Sequence, residues 1–151
     1  MANSTSIAEA ATEAEPAPSP VEVRIQVRVR YNECDPMSLA HHSTYPCWLE
    51  MARTEMVRQA GIRYRDLEAE GFFFAVTALD LRYRSPAKYD DLIEIHAIVR
   101  KATRGKLEHE YRITRDGILL TTAKTTVACL DRNGRPQMMP KAILDLCGVS
   151  A

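Results

Sequence analysis

The chain carries no net charge, because twenty Lys and Arg balance twenty Asp and Glu. That balance removes any global field able to recruit nucleic acid or an anionic membrane surface. No apolar run approaches the ~18 residues that a membrane-spanning helix needs. The first twenty residues lack a basic region followed by an apolar one, so no secretory signal is expected and a cytoplasmic location follows by default. Cys34, Cys47, Cys129 and Cys147 never stand as a C-x-x-C pair. Free and mostly buried thiols are therefore expected, rather than a zinc site or a disulfide framework. No internal repeat is present.

The 151 residues, 46% apolar and 26% charged, suit one soluble globular domain with a real core. Residues 1–20 alternate Pro with small residues near their end and show no periodicity, which predicts a disordered tail; the folded domain is expected over 21–147. From Val21 to Tyr31, Val21, Val23, Ile25, Val27, Val29 and Tyr31 alternate with charged or polar residues, the period-two signature of a strand with one buried face. After an irregular stretch the period becomes 3.6. Trp48, Leu49, Ala52, Met56 and Ala60 form one apolar stripe, with Ser43 as a candidate N-cap, Pro46 in the first turn and Gly61 as the stop.

A short helical piece is expected from Tyr64 to Glu70. Four strands then follow: Phe72–Arg84, Leu92–Arg100, Leu107–Arg115 and Ile118–Leu130. The last two are joined by Asp116-Gly117, a dipeptide suited to a tight hairpin. Pro140–Cys147 suits a final short helix. This order predicts an α+β fold, a helix packed on one face of an antiparallel sheet, with oligomerisation covering what the single helix leaves open.

Between the first strand and the helix, Tyr31 to Tyr45 holds two carboxylates, two histidines and two tyrosines. Taken singly, each has an ordinary reading. Asp35 before Pro36 suits a turn-former that binds its own backbone. His41 and His42 suit exposed loop residues, and Tyr31 and Tyr45 suit packing aromatics. Adjacent histidines point apart, which disfavours a shared metal. The helix terminus changes the balance. Its first N–H groups lack internal partners and carry the positive end of the dipole, so a thioester carbonyl placed there has its developing oxyanion stabilised. A carboxylate just upstream can take a proton from water or attack the carbonyl carbon, and a thiolate leaves readily.

The segment V-R-V-R-Y-N-E-C-D-P-M-S-L-A-H-H-S-T-Y, followed by M-A-R-T-E-M-V-R, resembles the 4-hydroxybenzoyl-CoA thioesterase family, most closely its bacterial acyl-CoA branch associated with the Tol–Pal system. The run F-F-F-A-V-T-A-L-D-L-R-Y-R-S-P-A-K-Y-D-D extends the likeness, which spans Val21 to Ala142. The resemblance implies a hotdog fold, a long central helix wrapped by a curved five-stranded antiparallel sheet. It also implies a homodimer with joined sheets and sites at the interface, often within a homotetramer built of two dimers. The implied activity is hydrolysis of an acyl-CoA thioester, with coenzyme A entering as part of the substrate and no cofactor or metal.

By motif position, Asp35 matches the family's catalytic aspartate, as general base or nucleophile. His42 matches a residue that helps hold substrate and water, and Tyr31 and Tyr45 match tyrosines lining the site. Arg104 and Lys106, in a basic cluster around Gly105, resemble contacts to the phosphates of CoA, although a solvated hairpin has the same composition. Arg82, Arg84 and Lys88 form a second, weaker basic patch, and Phe72, Phe73 and Phe74 suit either an acyl pocket or the core. Ser38 departs from the family's usual glycine, so serine there must adopt φ > 0 at a cost of about 1 kcal/mol, or the loop must take another path. Two alternatives stay open: a hotdog enoyl-CoA hydratase, although its G-D-x-N-P-x-H pattern is absent around Asp35, and a non-catalytic binder of acyl-CoA or acyl-carrier protein.

Overall fold

Alternation sets the first element of the computed structural model, which describes residues 19–150. The expected tail, 1–20, falls outside the described residues except for Ser19 and Pro20. Strand β1 runs Glu22–Arg28, shorter than the alternation predicts. The chain leaves it because the Glu33 carboxylate reaches back to the Arg30 N–H at 2.8 Å and closes a single 3-10 turn, Tyr31–Glu33. Helix α1 is Tyr45–Gln59 and α2 is Tyr64–Ala69. Strands β2 (Phe73–Tyr83), β3 (Leu92–Ala102), β4 (Lys106–Arg115) and β5 (Ile118–Leu130) follow, and α3 is Lys141–Leu146.

The five strands form one antiparallel sheet in the order β1-β3-β4-β5-β2. Asp116 and Gly117 join β4 to β5 with φ of 49° and 77°, the double positive φ of the tight hairpin that Asp-Gly favours. Helix α1 lies across the sheet and packs on β1 and β3. Trp48, Leu49 and Ala52, all fully buried, meet Ile93, Ile95, Ala97 and Ile113 of the sheet. Each large apolar side chain so buried contributes about 1.5–3 kcal/mol. Ala60 does not extend the stripe. It is the exposed C-cap, and Gly61, at φ 82°, lets the Ile62 N–H reach the Val57 carbonyl at 3.0 Å, closing the helix.

A second core, Val57, Leu67, Leu107, Met139, Ile143 and Leu144, lies under α2 and α3, with Phe72 and Phe74 packed against it. Phe73, pointing the other way, lies 5.8 Å from the Arg132 guanidinium. β2 is the edge of the sheet opposite β1, and a bulge falls between Val76 and Ala78. Val76 and Leu79 on it are exposed.

Candidate active site

The loop from Cys34 to Ala40 folds on itself because Asp35 serves both of its ends. The Asp35 N–H donates to the Leu39 carbonyl (2.8 Å), and its Oδ1 accepts from the backbone N–H groups of Met37 (2.8 Å) and Leu39 (3.2 Å). Half-buried Asp35 is thus both the turn-former and the candidate catalytic carboxylate. Oδ1 is held, while Oδ2 has no hydrogen-bond partner among the described residues. Ser38 sits at φ 61°, so serine accepts the left-handed conformation and the loop keeps its sharp turn. The loop docks on the segment before β3, through the Ala40 N–H to the Ala87 carbonyl (2.8 Å) and the Tyr89 N–H to the Ser38 carbonyl (3.0 Å).

Glu33 ties this loop to α1. Its carbonyl accepts the His41 N–H (2.8 Å) and the Thr44 hydroxyl (3.1 Å). Its buried carboxylate accepts from the Arg30 guanidinium (2.9 Å) and from the Trp48 indole in the first turns of α1 (3.3 Å). The N-cap of α1 is Thr44 rather than the expected Ser43, whose Oγ instead meets His41 Nδ1 at 2.7 Å. Because the Thr44 hydroxyl is committed to Glu33, no side chain caps α1. The positive end of the helix stays open beside the Asp35 loop. Nothing in the spacing of Glu33 marks this role; it is legible only once strand, loop and helix are in place.

The other expected residues occupy distinct positions. His42 is exposed, its ring 4.1 Å from that of His41, and its carbonyl accepts the Tyr83 hydroxyl at 2.8 Å. Tyr45 is buried edge-on to Trp48 (4.9 Å) and Tyr83 (5.0 Å). Its hydroxyl accepts the Ala87 N–H at 3.4 Å, and burial pushes its pKa up. Tyr31 is 83% exposed, and its ring meets that of Tyr89 edge-on at 5.7 Å. His42 and Tyr45 therefore meet Tyr83, which sequence reasoning passed over, at the α1 N-terminus, and Glu33 ties the Asp35 loop to the same end of the helix.

Arg104 and Lys106 lie elsewhere. They form the β3–β4 hairpin, whereas the Asp35 loop docks beside the start of β3, about 33 Å away along the strand at ~3.3 Å per residue. Within one chain the two groups do not meet. The Arg104 Nε donates to the Ser150 carbonyl at 3.3 Å, and Lys106 is exposed. Arg82 pairs with Asp80 at 3.0 Å.

A curved antiparallel sheet around a long helix, with a carboxylate loop stitched to an uncapped helix N-terminus, defines the class: a hotdog-fold thioester hydrolase. Residues 29–146 match the model of the thioesterase-like superfamily, and the chain belongs to that family. The acyl-CoA thioester hydrolase YbgC of Escherichia coli is 32% identical over 116 residues, 76% of this chain and 87% of that protein. The Thermus thermophilus hypothetical protein TT1821 superposes with a TM-score of 0.78 at 33% identity, covering 83% of this chain and 96% of that one. The DHNA-CoA thioesterase of Staphylococcus aureus superposes with a TM-score of 0.78 at 27% identity, covering 83% and 85%.

Proposed function

We propose that the enzyme hydrolyses an acyl-CoA thioester to the free acid and CoA, with Asp35 as the reacting carboxylate. One observation carries the reading: Asp35 stands on a loop that Glu33 clamps against the open N-terminus of α1. With the thioester carbonyl at that terminus, negative charge growing on its oxygen meets the Tyr45 N–H and the positive end of the helix dipole. Pro46 has no N–H, and the Cys47 and Trp48 N–H groups turn to the Thr44 carbonyl. Asp35 removes a proton from water as hydroxide adds to the carbonyl carbon, or adds to that carbon itself and is released by water in a second step. Either route breaks the C–S bond, and the thiolate leaves as the thiol after taking a proton. His42 borders the incoming substrate, and Tyr45 and Tyr83 wall the site. No metal or cofactor takes part; CoA is substrate.

The reading includes a second copy of the chain. The free edge of β2, with Val76 and Leu79 exposed, suits pairing with another β2 edge into a homodimer, and two dimers into a homotetramer. A partner subunit also offers the route by which Arg104 and Lys106 approach the phosphates of a CoA bound beside the other Asp35. No helix among the described residues is long and apolar enough to cross a membrane, and a cytoplasmic location is part of the proposal.

The test is release of free thiol from a panel of acyl-CoAs by the wild type and by Asp35→Asn. Turnover is expected from the wild type and its loss in the variant; undiminished turnover in the folded variant overturns the role of Asp35.

A further inference from the structure

Arg53, in the second half of α1, is only 8% exposed. Its Nη1 donates to the Tyr111 hydroxyl at 3.1 Å, which lies 2.7 Å from the Thr125 hydroxyl. Among the described residues that is its one hydrogen bond, and no carboxylate lies within ion-pair distance. A guanidinium offers five N–H donors, and burying one without a counter-charge is costly. Such a group is normally matched by an anion or a set of acceptors.

Arg53 lines a cavity of ≈ 200 Å³ together with Tyr64, Phe74 and Val76. That is on the scale of the ~150 Å³ that accommodates benzene. Both α1 and β2 contribute to its walls. The same two elements meet again at the proposed reaction centre, where the Tyr45 and Tyr83 rings touch. Tyr45 and Arg53 are eight residues apart on α1, on one i, i+4, i+8 row, about 12 Å along the axis. The α1 N-terminus and the cavity thus lie along one helix, within the reach of an extended medium-length acyl chain. Glu50 and Glu68 also line the cavity, but both are exposed and solvated, so water and salt screen them while Arg53 is desolvated.

We infer that the cavity receives the far end of the acyl group and that Arg53 selects acyl groups ending in a carboxylate, making dicarboxylic acyl-CoA thioesters the favoured substrate class. This rests on the acyl-CoA hydrolysis proposed above. A bidentate carboxylate would supply the counter-charge and take up the two guanidinium nitrogens left free.

The experiment compares kcat/KM for suberoyl- and sebacoyl-CoA with hexanoyl- and octanoyl-CoA, by thiol release. At least one acid-terminated thioester is expected to be favoured by about tenfold or more, one charge-assisted contact's worth of discrimination. In Arg53→Met the acid-to-methyl ratio falls toward unity. Turnover of hexanoyl- or octanoyl-CoA with no preference for any acid-terminated thioester overturns the inference and leaves the thioesterase reading standing. A preference that survives Arg53→Met also overturns it, as does an equal loss on both classes, which marks a purely structural role. If the variant does not fold, wild-type selectivity decides alone. No turnover of any thioester counts against the underlying reading itself.

Discussion

The carboxylate of Glu33 accepts the indole N–H of Trp48 at 3.3 Å, joining the residue two before Asp35 to the fourth residue of α1. Trp48 is fully buried and cannot move without disturbing the core, so the loop inherits the position of the helix. The Asp35 loop and the N-terminus of α1, the two parts the proposed chemistry needs, are thereby held as one unit.

Glu33→Ala removes the acceptor for the Arg30 backbone, the Arg30 guanidinium and the Trp48 indole at once. A loss of about 2–4 kcal/mol is expected, since buried donors left unpaired cost ~1–3 kcal/mol each. Thermal unfolding reads the stability, and kcat should fall further than the unfolded fraction explains. Full activity in the folded variant would contradict the clamp.

Asp35→Asn and Asp35→Ala separate chemistry from loop structure. Asn keeps an oxygen for the Met37 and Leu39 N–H groups; Ala does not. Both should lose about 10²-fold or more in kcat, the scale of a general base. Only Ala should lower the melting temperature, by about 1–2 kcal/mol of lost hydrogen bonds. Equal melting temperatures for the two would refute this division.

Ser38→Gly relieves a serine held at φ 61°. A gain of up to about 1 kcal/mol is expected, offset in part by the greater freedom of glycine in the unfolded chain. Ser38→Val, β-branched at the same φ, should lose stability. Denaturant unfolding ranks the three proteins, and the order Gly, Ser, Val is the one expected.

His109 is buried beside Arg53, its Nδ1 is unpaired, and burial drives its pKa down from 6.5 to about 4. The unfolded chain therefore binds a proton between pH 6.5 and 4 that the folded chain refuses. Stability from this residue is complete above 6.5, falls with pH through that window and is lost below 4, for a total of about 3 kcal/mol. His109→Phe should flatten the profile there. An unchanged slope would show that another group controls acid unfolding.

Leu79→Lys places a charge beside the free edge of β2. Light scattering should find the wild type as a dimer or larger and the variant shifted toward monomer. A monomeric wild type removes the second copy from the proposed function.

The elements were legible in the sequence because burial on one side imposes a period. Strand alternation in 22–28, the Trp48–Met56 stripe and the Asp116-Gly117 turn each follow from local rules, and each is present. Local rules failed where a distant partner intervened. Tyr31 left the strand because Glu33 bends the chain back onto Arg30, and Ser43 lost the cap position because Thr44 turned to the Glu33 carbonyl.

The sequence by itself determined that a carboxylate stands ahead of a helix, since Asp35-Pro36 and the change of period both lie within one short stretch. Only the tertiary structure decided that Glu33 fastens the two, that Tyr83 borders them, that Arg104 and Lys106 lie at the far end of β3, and that Arg53 is buried without a counter-charge. Those relationships join residues separated by up to about seventy positions, or depend on what a side chain fails to meet. A one-dimensional pattern encodes faces and turns; it does not encode which faces come together.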